Sequence, residues 1–410
     1  MSGAARIPGH RFLHSPGPTR VPDEVAHAMS RQPMDLADPR VAQTIAACET
    51  GLRRVLGTAS SEVFMYAANG HGAWEATIVN LLGPGQAVLI AGTGHFSESW
   101  AVQAEALGAR VVRTAWDEGE AIDAGAVEQA LRDDREHAIV AVFVVHTDTA
   151  SSLTSDLPAL RAAIDAARHP ALFVVDVVAS LAAAPFEMDA LRADVAIGAS
   201  QKGLMVPPGL SFVAVNEAAM AVARRNPAPR FYWDWVRRQG DQPYRKFCGT
   251  PPQSLLAGLE ASLTLIAREG LAQVHARHRL MADAVHAAVG AWSEAGGLRF
   301  FGRLPATRSV SVTTLLTAPG VDPEAVRALA RERFQVAIAG GLGPLTGRVL
   351  RIGHLGDTNP AMVLGCLAGL QAAFEVCGVP VGGAGVQRAI EVFARADARP
   401  GPGASVRSID

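Results

Sequence analysis

Lysine is nearly missing from this 410-residue chain. Of its 37 Lys and Arg residues, only Lys202 and Lys246 are lysine. Arginine replaces lysine wherever a surface needs only positive charge, but not where an amine must lose its proton and attack a carbonyl. Lys202 stands in GASQKGLMVPPG (198–209) among glycines and apolar residues. It reads either as an ordinary surface lysine or as one kept for its chemistry. Cysteine is scarce as well. Cys48, Cys248, Cys366 and Cys377 show no CxxC or Cys/His spacing. This argues against a metal site and reads as reduced thiols in a cytoplasmic protein. No apolar run approaches the roughly 18 residues of a membrane span. The longest, such as AIVAVFVV (138–145), have the length of buried strands. The stretch MSGAARIPGHRFLHSPGP lacks the apolar segment of a secretory signal. A net charge of −2 leaves no electrostatic footprint for nucleic acid or an acidic membrane.

What is present suits a globular protein of two domains. Hydrophobic residues make up 49% and charged residues 19%, enough apolar surface for a sizeable core. Residues 1–22, rich in Pro and Gly, read as an extended arm. A helix is expected to start at Pro22 and Asp23, where proline and an acid suit a first turn. Between about 60 and 215, apolar runs alternate with amphipathic stretches. AVLIAG (87–92), ARVVRTA (109–115), AIVAVFVV (138–145), ALFVVDVVA (171–179), ADVAIGAS (193–200) and LSFVAV (210–215) read as strands. The pattern predicts an α/β fold with a mostly parallel central sheet covered on both faces. A long helical segment from Pro252 to about Val289 leads into a smaller α+β domain. That domain is expected to hold strands over 308–314, 335–339 and 348–353, and helices over 322–333 and 359–376. The expected divisions are an arm over 1–22, a large domain over 23–265, a small domain over 266–398 and a disordered tail over 399–410.

In open α/β sheets, ligands sit at the carboxyl ends of the strands. After VFMYA come Asn69, Gly70, His71 and Gly72, ahead of a helix expected to begin near Ala73. Glycines before a helix N-terminus suit a phosphate, although such turns are common and GxGxxG is not satisfied. After AVLIA comes Phe96, either a core ring or a stacking face for a planar ligand. After AIVAVFVV comes HTDTASS (146–152), either a capping turn or a polar cluster for a ligand. Asp176 lies in an apolar strand, where an acid is costly unless paired. It reads as a strand-end cap or as the partner of a cationic ring nitrogen. After ADVAIG comes Lys202. Together these are the parts that pyridoxal 5′-phosphate needs: an amine for its aldehyde, an acid for its ring nitrogen, a phosphate cradle and a stacking ring.

Several of these segments resemble the class V aminotransferases of the fold-type I pyridoxal-phosphate enzymes, and within them the alanine/serine/aspartate–glyoxylate group. The resemblance rests on SPGPTRVP (15–22), NGHGAWEA (69–76), DVVASL (176–181), GASQKGLMVPPGL (198–210), GTPPQSLLAGLEASL (249–263) and GGLGPLTGRVLRIGHLGD (340–357). It implies a fold-type I transferase that uses pyridoxal 5′-phosphate to move the amino group of serine, alanine or aspartate to glyoxylate or a similar 2-oxo acid, with ping-pong kinetics. Lys202 would carry the cofactor and shuttle the substrate proton, and Asp176 would pair with the ring nitrogen. Phe96 and Val178 would pack on opposite ring faces, and Thr149 would bond the ring hydroxyl. Asn69, Gly70, His71 and Gln201 would hold the phosphate, with Thr250 reaching the phosphate of a partner subunit. Arg351 would grip the substrate carboxylate. The family also implies a homodimer with shared sites.

Three positions depart from the family's pattern. HTDTASS stands where HNETSTG is usual, Phe247 replaces a tyrosine that reaches the phosphate, and Phe96 replaces a larger indole. HxDTxS is similar to the pyridoxamine–pyruvate branch, which does not keep NGHGAWEA. Other readings consistent with parts of the sequence are a lyase, a desulfurase acting through Cys248, a nicotinamide-dependent oxidoreductase or plain nucleotide-binding module, and a non-catalytic cofactor-binding relative.

Overall fold

The structure, a computed structural model, describes residues 9–397. The expected disorder of 399–410 lies outside them. Fourteen strands are assigned among the described residues. In chain order they are β1 (Phe12–His14), β2 (Glu62–Tyr66), β3 (Ala87–Ile90), β4 (Arg110–Arg113), β5 (Ile139–Val145), β6 (Thr147–Asp148) and β7 (Leu153–Thr154). They continue as β8 (Leu172–Asp176), β9 (Val195–Ala199), β10 (Ser211–Val215), β11 (Leu298–Phe300), β12 (Val312–Thr317), β13 (Val336–Gly340) and β14 (Val349–Gly353).

Seven strands form the main sheet in the order β2-β10-β9-β8-β5-β3-β4. Only β10 runs against its neighbours, β9 and β2. All the other strands therefore present their carboxyl ends along one edge. The apolar runs alternate their burial between two layers, as the period of two in a strand demands. Val142, Val144, Phe173 and Val175 join one core with Val41, Ile45 and Leu52 of the helix Pro39–Leu56. Phe143, Val145, Leu172 and Val174 join the other with Trp74 and Trp100. This double covering explains why the strands read as unbroken apolar runs.

A second sheet of five strands has the order β1-β13-β14-β12-β11. Its core holds Trp292, Leu315, Val326, Leu350, Leu367 and Phe374. The arm expected over 1–22 is not merely extended, because Phe12–His14 pairs in parallel with Val336–Ile338. The chain then passes between the two sheets. Ser15 and Pro16 pack on Gly353, where any Cβ would lie 2.4 Å from the Ser15 carbonyl oxygen.

Three expectations need correction. The helical segment from Pro252 to Val289 is two helices, Gln253–Glu269 and Leu271–Ser293, broken at Gly270 with φ +85°. The division at 265 thus falls inside the first of them. The strand expected over 308–314 begins at Val312, because Ser309 bonds Ser311 (2.8 Å) and its N–H donates to Ser152 O (3.0 Å) instead of joining the sheet. The helix expected from Ala73 begins at Gly70, because the Asn69 side chain caps it by accepting from the Gly72 N–H at 3.3 Å. The Pro22/Asp23 start holds, in the helix Asp23–Met29.

Candidate active site

Five segments converge at the carboxyl edge of the main sheet. Asn69 and Gly70 follow β2, Phe96 follows β3, Thr149 follows β5, Asp176 ends β8 and Lys202 follows β9. They surround one cavity of about 290 Å³, which Gly17, His71, Trp74, Val178 and Gln201 also line. The helix Gly70–Leu81 starts at this cavity with Gly70 and His71 in its first turn. Its free N–H groups and partial positive charge suit an anion there.

Lys202 is buried, and its Nζ donates to the Pro16 carbonyl. Burial pushes its amine down to about 8, helped by the charge on Arg351 and opposed by Asp176 and Asp148. Such an amine loses its proton under mild conditions. The arm fits closely over it. A Cβ on Gly17 would lie 2.6 Å from Cδ, Cε and Nζ of Lys202. The other lysine has a different setting: Lys246 pairs with Glu49 at 2.6 Å, away from the cavity.

Asp176 is buried and accepts two hydrogen bonds. Its Oδ1 accepts from the Val178 N–H and its Oδ2 from the Trp74 indole N–H, both at 2.7 Å. Burial raises its carboxyl to about 6, against the pull of these donors and of Lys202. Asp148, also buried, accepts from the N–H groups of Phe96 (2.8 Å), Ala150 (2.8 Å) and Ser151 (3.2 Å). It thereby ties the start of the helix His95–Ala106 to the Thr149 turn. Burial raises its carboxyl too.

Arg351, in β14, lies behind the Thr149 turn. It donates from Nε to Gly340 O at 2.5 Å and from Nη1 to Thr149 O at 2.9 Å. Burial lowers it to about 10, so it keeps its charge at neutral pH. Neither Arg351 nor Thr250 lines the cavity: Arg351 stands behind the Thr149 turn, and Thr250 lies exposed beyond the short helix Pro243–Phe247. Phe247, where the family has a tyrosine, is buried in the core, whereas Tyr244 is 62% exposed. None of the four cysteines lines the cavity.

The residues fit pyridoxal phosphate. The opening turn of the helix Gly70–Leu81 presents free N–H donors for a phosphate, the buried Asp176 an acceptor for a ring nitrogen, and Lys202 an amine of lowered basicity for an aldehyde. Among the described residues, no group of three or more His, Cys, Asp or Glu could hold a metal ion. Sequence reasoning placed Asp148 in the polar cluster HTDTASS without giving it a role, and missed Trp74 and the Pro16–Gly17 segment as parts of this site. The quoted motifs contain Trp74 and Gly17, but nothing in their spacing shows what they touch.

A mostly parallel sheet with a buried lysine, a buried acid and a helix N-terminus along its carboxyl edge is the arrangement of the fold-type I pyridoxal-phosphate enzymes. Residues 11–349 match the family described as aminotransferase class-V, and the chain belongs to that family. The serine–glyoxylate aminotransferase of Methylorubrum extorquens is 38% identical over 383 residues, covering 92% of this chain and 94% of the relative. The L-aspartate–glyoxylate aminotransferase of Paracoccus denitrificans is 37% identical, with coverages of 92% and 95%. Among solved structures, the pyridoxamine–pyruvate aminotransferase of Mesorhizobium loti has a TM-score of 0.85 at 27% identity, covering 96% of this chain and 100% of that one.

Proposed function

We propose that the protein uses pyridoxal 5′-phosphate to move the amino group of a small L-amino acid, serine, alanine or aspartate, to glyoxylate or a similar 2-oxo acid. The carrying observation is the buried Lys202 amine, held near neutrality in one cavity with the buried acid Asp176. Relatives named for serine or aspartate as donor and glyoxylate as acceptor support the substrate class. When bound, the cofactor supplies an electron-withdrawing ring that acidifies the substrate's Cα–H.

The protein's own groups then do the rest. Lys202 Nζ would anchor the cofactor and, once displaced by the donor, would carry the proton from the substrate's Cα to the cofactor's C4′ carbon. This is general acid–base work suited to its lowered pKa. Asp176 holds a proton on the ring nitrogen. Phe96 and Val178 confine the ring, and Thr149 bonds its hydroxyl. Asn69, Gly70, His71 and Gln201 hold the phosphate, and Thr250 of a second copy completes its cradle in a homodimer. Arg351 takes the substrate carboxylate through its planar guanidinium. Four free cysteines fit a reducing compartment, the cytoplasm.

The test is a panel of half-reactions. L-serine, L-alanine and L-aspartate are added separately to the cofactor-loaded protein, and the visible absorption band is followed. One or more should bleach it, and glyoxylate should restore it. No response to any of the three would refute the donor class. The likeness to pyridoxamine–pyruvate aminotransferase and the HTDTASS variant support a second reading. Bleaching of the band by none of the amino acids, with oxo-acid-dependent turnover of free pyridoxamine, would select it.

A further inference from the structure

We propose that Trp74 is a positioning residue for the ring-nitrogen end of the site: its indole N–H holds Asp176 as an oriented carboxylate acceptor for a cationic aromatic nitrogen. The proposal rests on the reading that pyridoxal phosphate occupies this cavity.

Asp176 is the last residue of β8, and its two oxygens are held differently. The Oδ1 bond from the Val178 N–H is local, and any residue except proline at 178 would supply it. The Oδ2 bond comes from an indole on the helix Gly70–Leu81, 102 positions away in the chain. Its 2.7 Å length is that of a charge-assisted hydrogen bond. A carboxylate oxygen has two lone pairs, so each oxygen can accept once more from the cavity. Burial favours the neutral acid, and the indole N–H is one of the few groups opposing it. Without that N–H, more of Asp176 would be protonated at neutral pH. A protonated acid is a poor partner for a cationic nitrogen.

The indole is rigidly placed. Trp74 stacks on Trp100, with centroids 5.2 Å apart and an interplanar angle of 10°, and Trp100 stacks on Phe143 of β5 at 4.3 Å and 24°. Trp74 also meets Phe96 edge to face, at 6.3 Å and 73°. One side chain therefore touches both the acid and the ring at the cavity wall. Trp100 offers a contrast within the same stack. Its indole N–H is buried without a partner, so it acts by bulk alone. Phenylalanine at position 74 would keep an aromatic ring beside Trp100 but could not make the bond to Asp176.

The test compares wild type with Trp74→Phe for equilibrium binding of two probes: pyridoxal phosphate and its 1-deaza analogue, in which a C–H replaces the ring nitrogen. Loss of one charge-assisted hydrogen bond should weaken pyridoxal phosphate binding by about tenfold more than it weakens binding of the analogue. Equal weakening of both probes, or of neither, would overturn the proposal. A wild-type protein that binds no pyridoxal phosphate would instead refute the proposed function. If Trp74→Phe does not fold, the indole N–H resonances of the six tryptophans are recorded in ¹⁵N-labelled wild type. Pyridoxal phosphate should shift one resonance that the analogue leaves in place. Identical shifts with both probes, or none with either, would overturn the proposal equally.

Discussion

Gly17→Ala should displace the Lys202 amine while leaving the main sheet intact. Gly17 has φ +125°, and the added Cβ would lie 2.6 Å from Cδ, Cε and Nζ of Lys202, where ordinary contact begins at 3.4 Å. The obstructed atoms are the flexible end of a side chain, so the lysine must yield by about 1 Å and lose its bond to the Pro16 carbonyl. A shift of about 1 Å in a reacting group costs on the order of 10²-fold in rate. The strained backbone at residue 17 adds about 1–3 kcal/mol of lost stability. Steady-state kinetics should therefore show kcat/KM reduced by about 100-fold, with a lowered melting temperature and unchanged secondary structure by circular dichroism. Wild-type turnover in this variant would refute the claim that the arm confines the lysine.

Asp148→Ala should leave three buried backbone N–H groups, on Phe96, Ala150 and Ser151, without their acceptor. At about 1–3 kcal/mol for each unmade bond, denaturant unfolding should show a loss of at least about 3 kcal/mol; a loss below about 1 kcal/mol would contradict the assigned role. Stability should also fall with acid. Burial holds His146, His278 and His286 at about 4, against 6.5 in the unfolded chain. Their contribution is full above pH 6.5 and is lost as pH falls toward 4, because only the unfolded chain takes up those protons, at up to about 4 kcal/mol per pH unit. Asp176, raised to about 6, acts oppositely below pH 6, since the native state binds its proton first, and returns at most about 1.4 kcal/mol per unit. Unfolding midpoints measured from pH 7 to 5 should fall; a flat profile would refute this balance.

The main sheet was legible because its strands are buried on both faces and so read as continuous apolar runs. The cavity's lining was legible for a related reason: in a parallel sheet the residues along the carboxyl edge follow their strands, so Phe96, Thr149 and Lys202 could be placed there from strand ends. Contacts between elements distant in sequence were not legible. Nothing near Trp74 shows that its N–H reaches Asp176. Nothing near Phe12 shows that the arm pairs with β13, which places Gly17 against Lys202. The break at Gly270 was hidden because the apolar periodicity continues through both flanking helices. Composition left the two lysines alike; the strand end before Lys202 set it apart, and the structure adds their partners, Glu49 for Lys246 and the cavity for Lys202.

The central claim is that Lys202 is the residue that carries the cofactor. Sodium borohydride converts a lysine-linked pyridoxal into a stable adduct, and the scarcity of lysine makes the peptide map simple. The purified protein should be loaded with pyridoxal phosphate, reduced, digested and analysed by mass spectrometry. A pyridoxyl group on the peptide containing Lys202, with the Lys246 peptide unmodified, is the predicted result. An adduct on Lys246 alone, or none on either lysine, would contradict it.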